Sequence, residues 1–141
     1  MNNIIIKGST KERRHVALKT TQWFLRKFLP RFKTLEIEIK LNDCYKKSKT
    51  YGYCLAIDDK HREFEIQVDK SLRLFDFTAT LCHELIHLKQ YARFEMRDIG
   101  LNEIKWKKTI FKNKDYNTAP WENEAYRFES KLAKMCFEEV L

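Results

Sequence analysis

Residues 80–91, with the sequence Thr-Leu-Cys-His-Glu-Leu-Ile-His-Leu-Lys-Gln-Tyr, constrain the fold more than any other part of the chain. Apolar residues recur through this region at the three- and four-residue spacing of an α-helix, at Phe77, Leu81, Leu85 and Leu88. Asp76, just before the first of them, is of a type that often caps helix N-termini. We therefore predict an amphipathic helix with Asp76 as its N-cap.

The predicted helix carries the pattern His83-Glu84-x-x-His87. Two histidines four residues apart lie on one helical face, so both imidazoles can reach the same metal ion. Zinc is well suited to neutral imidazole ligands, and Glu84 lies beside the first ligand, where it can act as a general base on a water. We expect His83 and His87 to bind Zn²⁺ and Glu84 to be catalytic. The alternative is two ordinary helix histidines near solvent, with Glu84 paired to a lysine.

A catalytic zinc site usually takes a third protein ligand. His15 and His61 occupy no position that obviously faces the metal helix. Glu124 falls on the apolar stripe of a predicted C-terminal helix, where a carboxylate is costly to bury unless it is paired or bound to a metal. Glu122 lies off that stripe, in a first helical turn that favours negative charge in any case. We therefore expect Glu124 as the third ligand, the alternative for it being a salt bridge to a neighbouring element.

The other segments predict an α+β protein. A capping box at residues 9–12 opens a first helix that Pro30 ends. Residues 35–41 alternate apolar and charged residues as a strand does, and residues 51–57 and 64–68 indicate a hairpin. Residues 104–111 indicate a further short strand or hairpin, and residues 112–119 a loop before the helix that begins near Pro120. We expect a small, mostly antiparallel sheet of three to four strands between the N-terminal helix and the two site helices.

The composition indicates one domain over residues 1–141. Only three glycines and two prolines occur, with no linker or repeat. The four cysteines form no Cys-x-x-Cys pair, which argues against a structural zinc knuckle and favours small apolar packing residues. The apolar run at residues 4–6 is far too short for a signal peptide or a membrane span. We expect a soluble, cytoplasmic protein without membrane contact.

The positive charge is concentrated at the N-terminal end. Residues 1–50 contain 13 Lys and Arg against 4 Asp and Glu, a balance of +9, whereas the remainder contains 15 against 16. Such a surface could contact nucleic acid or an acidic protein, for example through Arg13, Arg14, Lys19 and Arg26. The simpler interpretation is a solvated face that maintains solubility, since no nucleic-acid motif accompanies the charge.

His83-Glu84-Leu85-Ile86-His87, followed by Asn-Glu-Ala-Tyr-Arg-Phe at residues 123–128, resembles the gluzincin pattern of zinc metallopeptidases. Residues 106–125 are also similar to short peptidases encoded by bacteriophages. The order of elements resembles minimal gluzincins and SprT-like and ImmA/IrrE-type domains over most of residues 10–140. The resemblance implies a zincin-like fold and a glutamate ligand, at Glu124. SprT-like proteins carry a further histidine where this chain has Tyr91, so their ligand set does not transfer.

The activity implied by the motif and the resemblance is hydrolysis of a peptide bond in a protein or peptide substrate. Glu84 would take a proton from the attacking water and return it to the leaving amine. Tyr91, Tyr116 and Tyr126 are candidates for stabilising the oxyanion, and an edge strand could pair with an extended substrate. The alternatives are a peptidase acting near DNA, a binding module with a structural or vestigial zinc, and a nucleic-acid-binding domain with an accidental motif.

Overall fold

The computed structural model describes residues 1–112 and 119–141, and these residues form four helices and seven strands. In chain order they are β1 (Asn3–Gly8), α1 (Lys11–Phe28), β2 (Glu36–Asn42), α2 (Cys44–Ser48), β3 (Gly52–Ala56), β4 (Glu63–Asp69), α3 (Leu74–Ala92), β5 (Met96–Gly100), β6 (Glu103–Trp106), β7 (Thr109–Lys112) and α4 (Pro120–Glu139). The α+β class predicted from the sequence is confirmed. Most of the loop predicted at residues 112–119 lies outside the described residues.

The main sheet has the strand order β1-β2-β4-β3. Its β3–β4 pair is the antiparallel hairpin that the sequence predicts. The β1–β2 and β2–β4 pairs are parallel, so the expectation of a mostly antiparallel sheet was wrong. Strand β1 was also not predicted, because its three consecutive isoleucines do not alternate with polar residues. Helix α1 joins β1 to β2, and parallel neighbours require such a crossover.

One face of the main sheet contributes to the core. Ile37, Ile39 and Leu41 of β2 are each at most 2% exposed, and they alternate with more exposed residues. Phe64, Ile66 and Val68 of β4 repeat the pattern. Helices α1 and α3 cover this face, and α4 packs against α3. Helix α3 therefore lies between the sheet and two other helices, which explains why 13 of its 19 residues are buried.

The helix boundaries largely follow the local signals. Thr10 caps α1, where its Oγ1 accepts a hydrogen bond from the Arg13 amide at 3.2 Å, and Pro120 occupies the first turn of α4. Helix α3 begins earlier than predicted, with Arg73 as its N-cap, so Asp76 lies in the first turn. A carboxylate there interacts favourably with the helix dipole, which explains why Asp76 resembles a cap in the sequence.

A second sheet has the order β5-β6-β7. Its β6–β7 hairpin confirms the strands predicted at residues 104–111, and β5 was not predicted. A small apolar cluster joins this sheet to the start of α4 and consists of Met96, Trp106, Ala119 and Trp121. The second sheet therefore supports the first turn of α4.

Two further expectations concern the cysteines and the membrane. All four cysteines are buried free thiols, as expected for apolar packing residues. Among the described residues, no helix has both the length and the apolar character needed to cross a bilayer.

We predict that Gly8→Ala strongly destabilises the fold. Gly8 has φ +92°, and a Cβ there would overlap the carbonyl oxygen of its β2 partner Leu41. Strain and overlap together should lower the free energy of unfolding by about 2–4 kcal/mol in urea titrations. Gly100→Ala is the matched control, because Gly100 has φ +83° with no atom near the added methyl group, and should cost only about 1 kcal/mol. Equal losses would contradict the packing argument.

Candidate metal centre

The two histidines of the motif meet a carboxylate from α4. The His83 Nε2 atom lies 2.9 Å from Glu122 Oε1, and the His87 Nε2 atom lies 3.2 Å from the same oxygen. All three residues are buried, and one ligand atom from each can be chosen so that all lie within 4.8 Å of one another. This is the separation expected of groups that share one metal ion. The structure thus contains a buried group that could bind a metal.

The carboxylate at this position belongs to Glu122, whereas the sequence argument preferred Glu124. Glu124 Oε1 instead accepts a hydrogen bond from Gln90 Nε2 at 3.2 Å, on the far side of Gln90 from the imidazoles. The prediction of Glu124 assumes that the apolar stripe of α4 includes every buried position on that helix. Glu122 is nevertheless only 3% exposed, because the polar histidine face of α3 covers it. Apolar periodicity cannot detect a contact between two polar faces.

The Nδ1 atoms of both histidines also have partners. His87 Nδ1 lies 2.8 Å from Gln90 Oε1, and His83 Nδ1 lies 3.3 Å from Glu129 Oε1. Gln90 Nε2 donates to the Trp121 carbonyl at 3.1 Å and to Glu124, which turns the amide oxygen towards His87. Acceptor oxygens thus face both Nδ1 atoms, so each ring that loses its Nε2 proton would keep a proton on Nδ1 and present the Nε2 lone pair to a metal, as in most protein zinc sites.

The histidines hold protons tightly when no metal is bound. Burial alone would lower the pKa of His83, but hydrogen bonds to Glu122 and Glu129 outweigh it and raise the pKa to about 10. The pKa of His87 is likewise raised, because the hydrogen bond to Glu122 and the charge of Glu84 outweigh its burial. In the metal-free group the proton of His83 is therefore held at neutral pH, and a bound metal would have to displace it.

Glu84 lies beside this group and is 5% exposed. Burial raises its pKa to about 7, although the charges of His87 and His83 act in the opposite direction. A Cβ at Gly52 of β3 would lie 3.2 Å from Glu84 Oε2, so glycine leaves room for this carboxylate. A carboxyl group that titrates near neutral pH is suited to exchange protons with a reacting water.

Glu84 and His83 open onto a cleft of about 280 Å³. Residues 49–52 form one wall, and Tyr126 and Glu129 of α4 form the other. Strand β3, which begins at Gly52, is an edge strand of the main sheet. The cleft therefore lies beside backbone groups that another extended segment could reach.

The three candidate tyrosines are placed differently. Tyr126 lines the cleft, and its ring meets that of His83 edge-on, with the centroids 4.7 Å apart. Tyr91 packs instead against His61 and Phe64, on another side of α3. Tyr116 lies outside the described residues. Of the two tyrosines that the structure describes, Tyr126 is the one positioned to reach a group in the cleft.

Comparison with protein-family models, curated proteins and solved structures found no match for this chain.

We predict that Glu122→Gln and Glu124→Gln differ sharply in metal binding. Glu122 contacts both imidazoles, so its loss should weaken zinc binding by about a thousand-fold, since a charged ligand is removed. Glu124 reaches His87 only through Gln90, and its loss should cost about ten-fold or less. Competition titrations with a chromophoric chelator measure both variants. The larger loss in Glu124→Gln would instead support the assignment expected from the sequence.

We also predict that zinc binding strengthens as pH rises. Because the pKa of His83 is about 10 without metal, its proton must leave on binding throughout the range from pH 6 to 9. The affinity should rise up to about ten-fold per pH unit for each proton displaced. Calorimetry in two buffers of different ionisation enthalpy counts the released protons. A pH-independent affinity would show that the imidazoles are not the ligands.

Proposed function

We propose that this chain is a zinc-dependent peptidase. The observation that carries the proposal is the position of Glu84, which is a buried carboxylate beside His83, His87 and Glu122 and opens onto a cleft at an edge strand. Metal ligands alone would be equally consistent with a structural site. A carboxylate close to the ligands and facing an open cleft is what general-base chemistry requires.

The donor set suits zinc. Two imidazoles and one carboxylate are a common ligand set of catalytic zinc, which keeps its fourth position for water or substrate. A structural site would usually have four protein ligands, whereas the described residues supply three. When bound, zinc would polarise the scissile carbonyl and lower the pKa of a coordinated water.

Glu84 would perform the proton transfers. Its carboxylate takes a proton from the attacking water as the water adds to the carbonyl carbon. The same group then gives that proton to the leaving nitrogen as the C–N bond breaks. Without metal, burial raises the pKa of Glu84 to about 7, and a bound dication would lower it, so that Glu84 would be charged and able to accept the proton of the water.

Strand β3 offers a way to align the substrate. Within residues 1–112 and 119–141, no strand pairs with β3 on the side away from β4, which is the arrangement that strand addition requires, and Gly52 at the start of β3 adjoins Glu84. An extended peptide paired along β3 would therefore pass the base. Such backbone pairing favours unfolded segments as substrates and requires no particular side chain.

Tyr126 is the proposed hydrogen-bond donor to the developing oxyanion. It lines the cleft next to His83, and partial burial raises the pKa of its hydroxyl, so the proton is retained at neutral pH. A donor is most effective where negative charge develops in the transition state.

We predict that Glu84→Gln loses peptidase activity and keeps its metal. Glutamine fills the same space but cannot accept the proton, so turnover of casein, a largely unfolded substrate, should fall by at least about a hundred-fold. Zinc content measured by atomic absorption should remain stoichiometric. Glu138→Gln, an exposed change on α4, is the matched control and should leave both quantities unchanged.

Three results would contradict the proposal. Wild-type protein with stoichiometric zinc that cleaves neither casein nor a mixed peptide library would not be a general peptidase. Equal turnover in wild type and Glu84→Gln would show that Glu84 is not the base. A site that keeps zinc and gains thermal stability from it, without any turnover, would be structural.

A further inference from the structure

A second hollow lies at the C-terminal end of α3, whereas the cleft adjoins the middle turns of that helix. It has a volume of about 540 Å³, and Phe28, Arg31, Phe32, Arg93 and Phe94 are among the residues that line it. It shares no lining residue with the cleft. Phe94 lies seven residues beyond His87, which corresponds to about 10 Å along a helix axis. The hollow is therefore a separate surface from the metal centre.

Phe94 occupies a position that usually belongs to glycine. After α3 ends, the Phe94 amide donates to the Tyr91 carbonyl at 2.9 Å and the Glu95 amide donates to the Gln90 carbonyl at 2.8 Å. This is the Schellman arrangement, which requires a left-handed residue, and Phe94 accordingly has φ +55°. A bulky side chain in that conformation costs about 1–2 kcal/mol. Termination of the helix by a Schellman motif does not explain why this position is a phenylalanine.

The ring of Phe94 presents a flat face. One face stacks on the ring of His61, with the centroids 4.4 Å apart and the planes at 14°. His61 is itself held by the hydrogen bond from Nδ1 to the Tyr91 carbonyl at 2.7 Å. Phe94 remains 45% exposed and lines the hollow, so part of its ring is accessible there. The strained backbone and the anchored histidine together hold an aromatic surface at the hollow.

The surroundings of this ring are cationic. Arg31 and Arg93 line the hollow, and an adjoining hollow that shares Leu29, Pro30 and Phe32 with it adds Arg26 and Lys33. Within residues 1–112 and 119–141, no aspartate or glutamate lines either hollow. Arg93 Nε lies 3.9 Å from Glu95 Oε2, a long and weak ion pair.

These cations differ from other basic residues of the N-terminal part. Arg13 donates to the Leu72 carbonyl at 2.8 Å and lies over the ring of Phe77, and Arg14 donates to the carbonyls of Gly8 and Ser9. Those two arginines hold α1 in place. For the part of the chain that the structure describes, Arg26, Arg31 and Lys33 make no ion pair. Their charge is available to a ligand.

We infer that this hollow binds single-stranded nucleic acid, with a base stacked on Phe94 and the flanking phosphates paired with Arg31 and Arg93. An unpaired base can reach a ring face at the bottom of a hollow, whereas a base within a duplex cannot. An acidic peptide would satisfy the arginines but would leave the flat ring without a matching group. A strand that alternates planar bases and phosphates satisfies both.

Fluorescence anisotropy with a labelled twelve-residue oligothymidine tests the inference on the full chain. We expect a dissociation constant of roughly 1–100 µM at physiological salt, weakening steeply as salt rises. The matching duplex and a twelve-residue oligoglutamate should bind at least about ten-fold more weakly. Absence of binding, or equal binding of the duplex or the acidic peptide, would overturn the inference.

Substitutions at Phe94 separate ring stacking from folding. Phe94→Gly removes the ring and the backbone strain, so the protein should remain folded while affinity for oligothymidine falls about ten-fold, the effect of losing one stacked base. Phe94→Trp keeps an aromatic face and should bind at least as well as wild type. Retained affinity in Phe94→Gly, or a loss in Phe94→Trp as large as in Phe94→Gly, would exclude the stacking role.

Charge substitutions test the phosphate contacts. Replacing Arg31 and Arg93 with Gln should weaken binding and reduce the slope of log affinity against log salt by about 1.4, or 0.7 per contact. The matched control replaces Lys46 and Lys47 of α2, which lie outside both hollows, and should leave the slope unchanged. Equal effects of the two pairs would show non-specific attraction only. The Glu84→Gln protein should bind like wild type, so this result is independent of the peptidase proposal.

Discussion

The Glu122 carboxylate between the imidazoles of His83 and His87 is the interaction on which the arrangement of α3 and α4 depends. A charged group buried at 3% exposure is tolerated only when opposite charge or a metal compensates it. Both rings reach one oxygen of this carboxylate, and their raised pKa values are the electrostatic counterpart of that contact. The two helices therefore meet through a polar contact in addition to their apolar one, and the same contact creates the metal site.

The rest of the fold supports this contact from both sides. The main sheet and α1 bury the apolar residues of α3, which fixes the direction of the histidine face. The second sheet packs Trp106 and Met96 against Trp121, the residue just before Glu122. The Trp121 carbonyl in turn accepts from Gln90, which orients His87. The small sheet thus contributes to the site without supplying a ligand, because it sets where the first turn of α4 begins.

The local parts of this arrangement could be predicted from the sequence, and the relation between distant parts could not. The spacing of His83 and His87 places both side chains on one face because a helix has a fixed period. The β3–β4 hairpin, Gly52–Ala56 with Glu63–Asp69, could be predicted because alternation of apolar and polar residues over a short range indicates strands. The choice between Glu122 and Glu124 depends on how two helices cross, and the parallel pairing of β1 with β2 depends on a crossover. Neither relation leaves a periodic signal in one segment. The apolar stripe of α4 also gives no sign that Glu122 is buried, because the residues that contact its carboxylate are the polar histidines of α3.

The middle of α3 and the turn that follows the helix each carry a feature that folding alone does not favour. Beside the cleft, the carboxyl group of Glu84 is buried, and burial raises its pKa to about 7. Just beyond the C-terminal end, Phe94 adopts a left-handed conformation in a Schellman motif where glycine would be unstrained. Strain and unfavourable burial of this kind accumulate where function selects for them, because selection for stability would remove them elsewhere. The two features differ in chemistry, since one is a buried carboxylate and the other a flat apolar ring among cations. Both are held by α3, whose core-facing residues are buried because the main sheet, α1 and α4 pack around this helix.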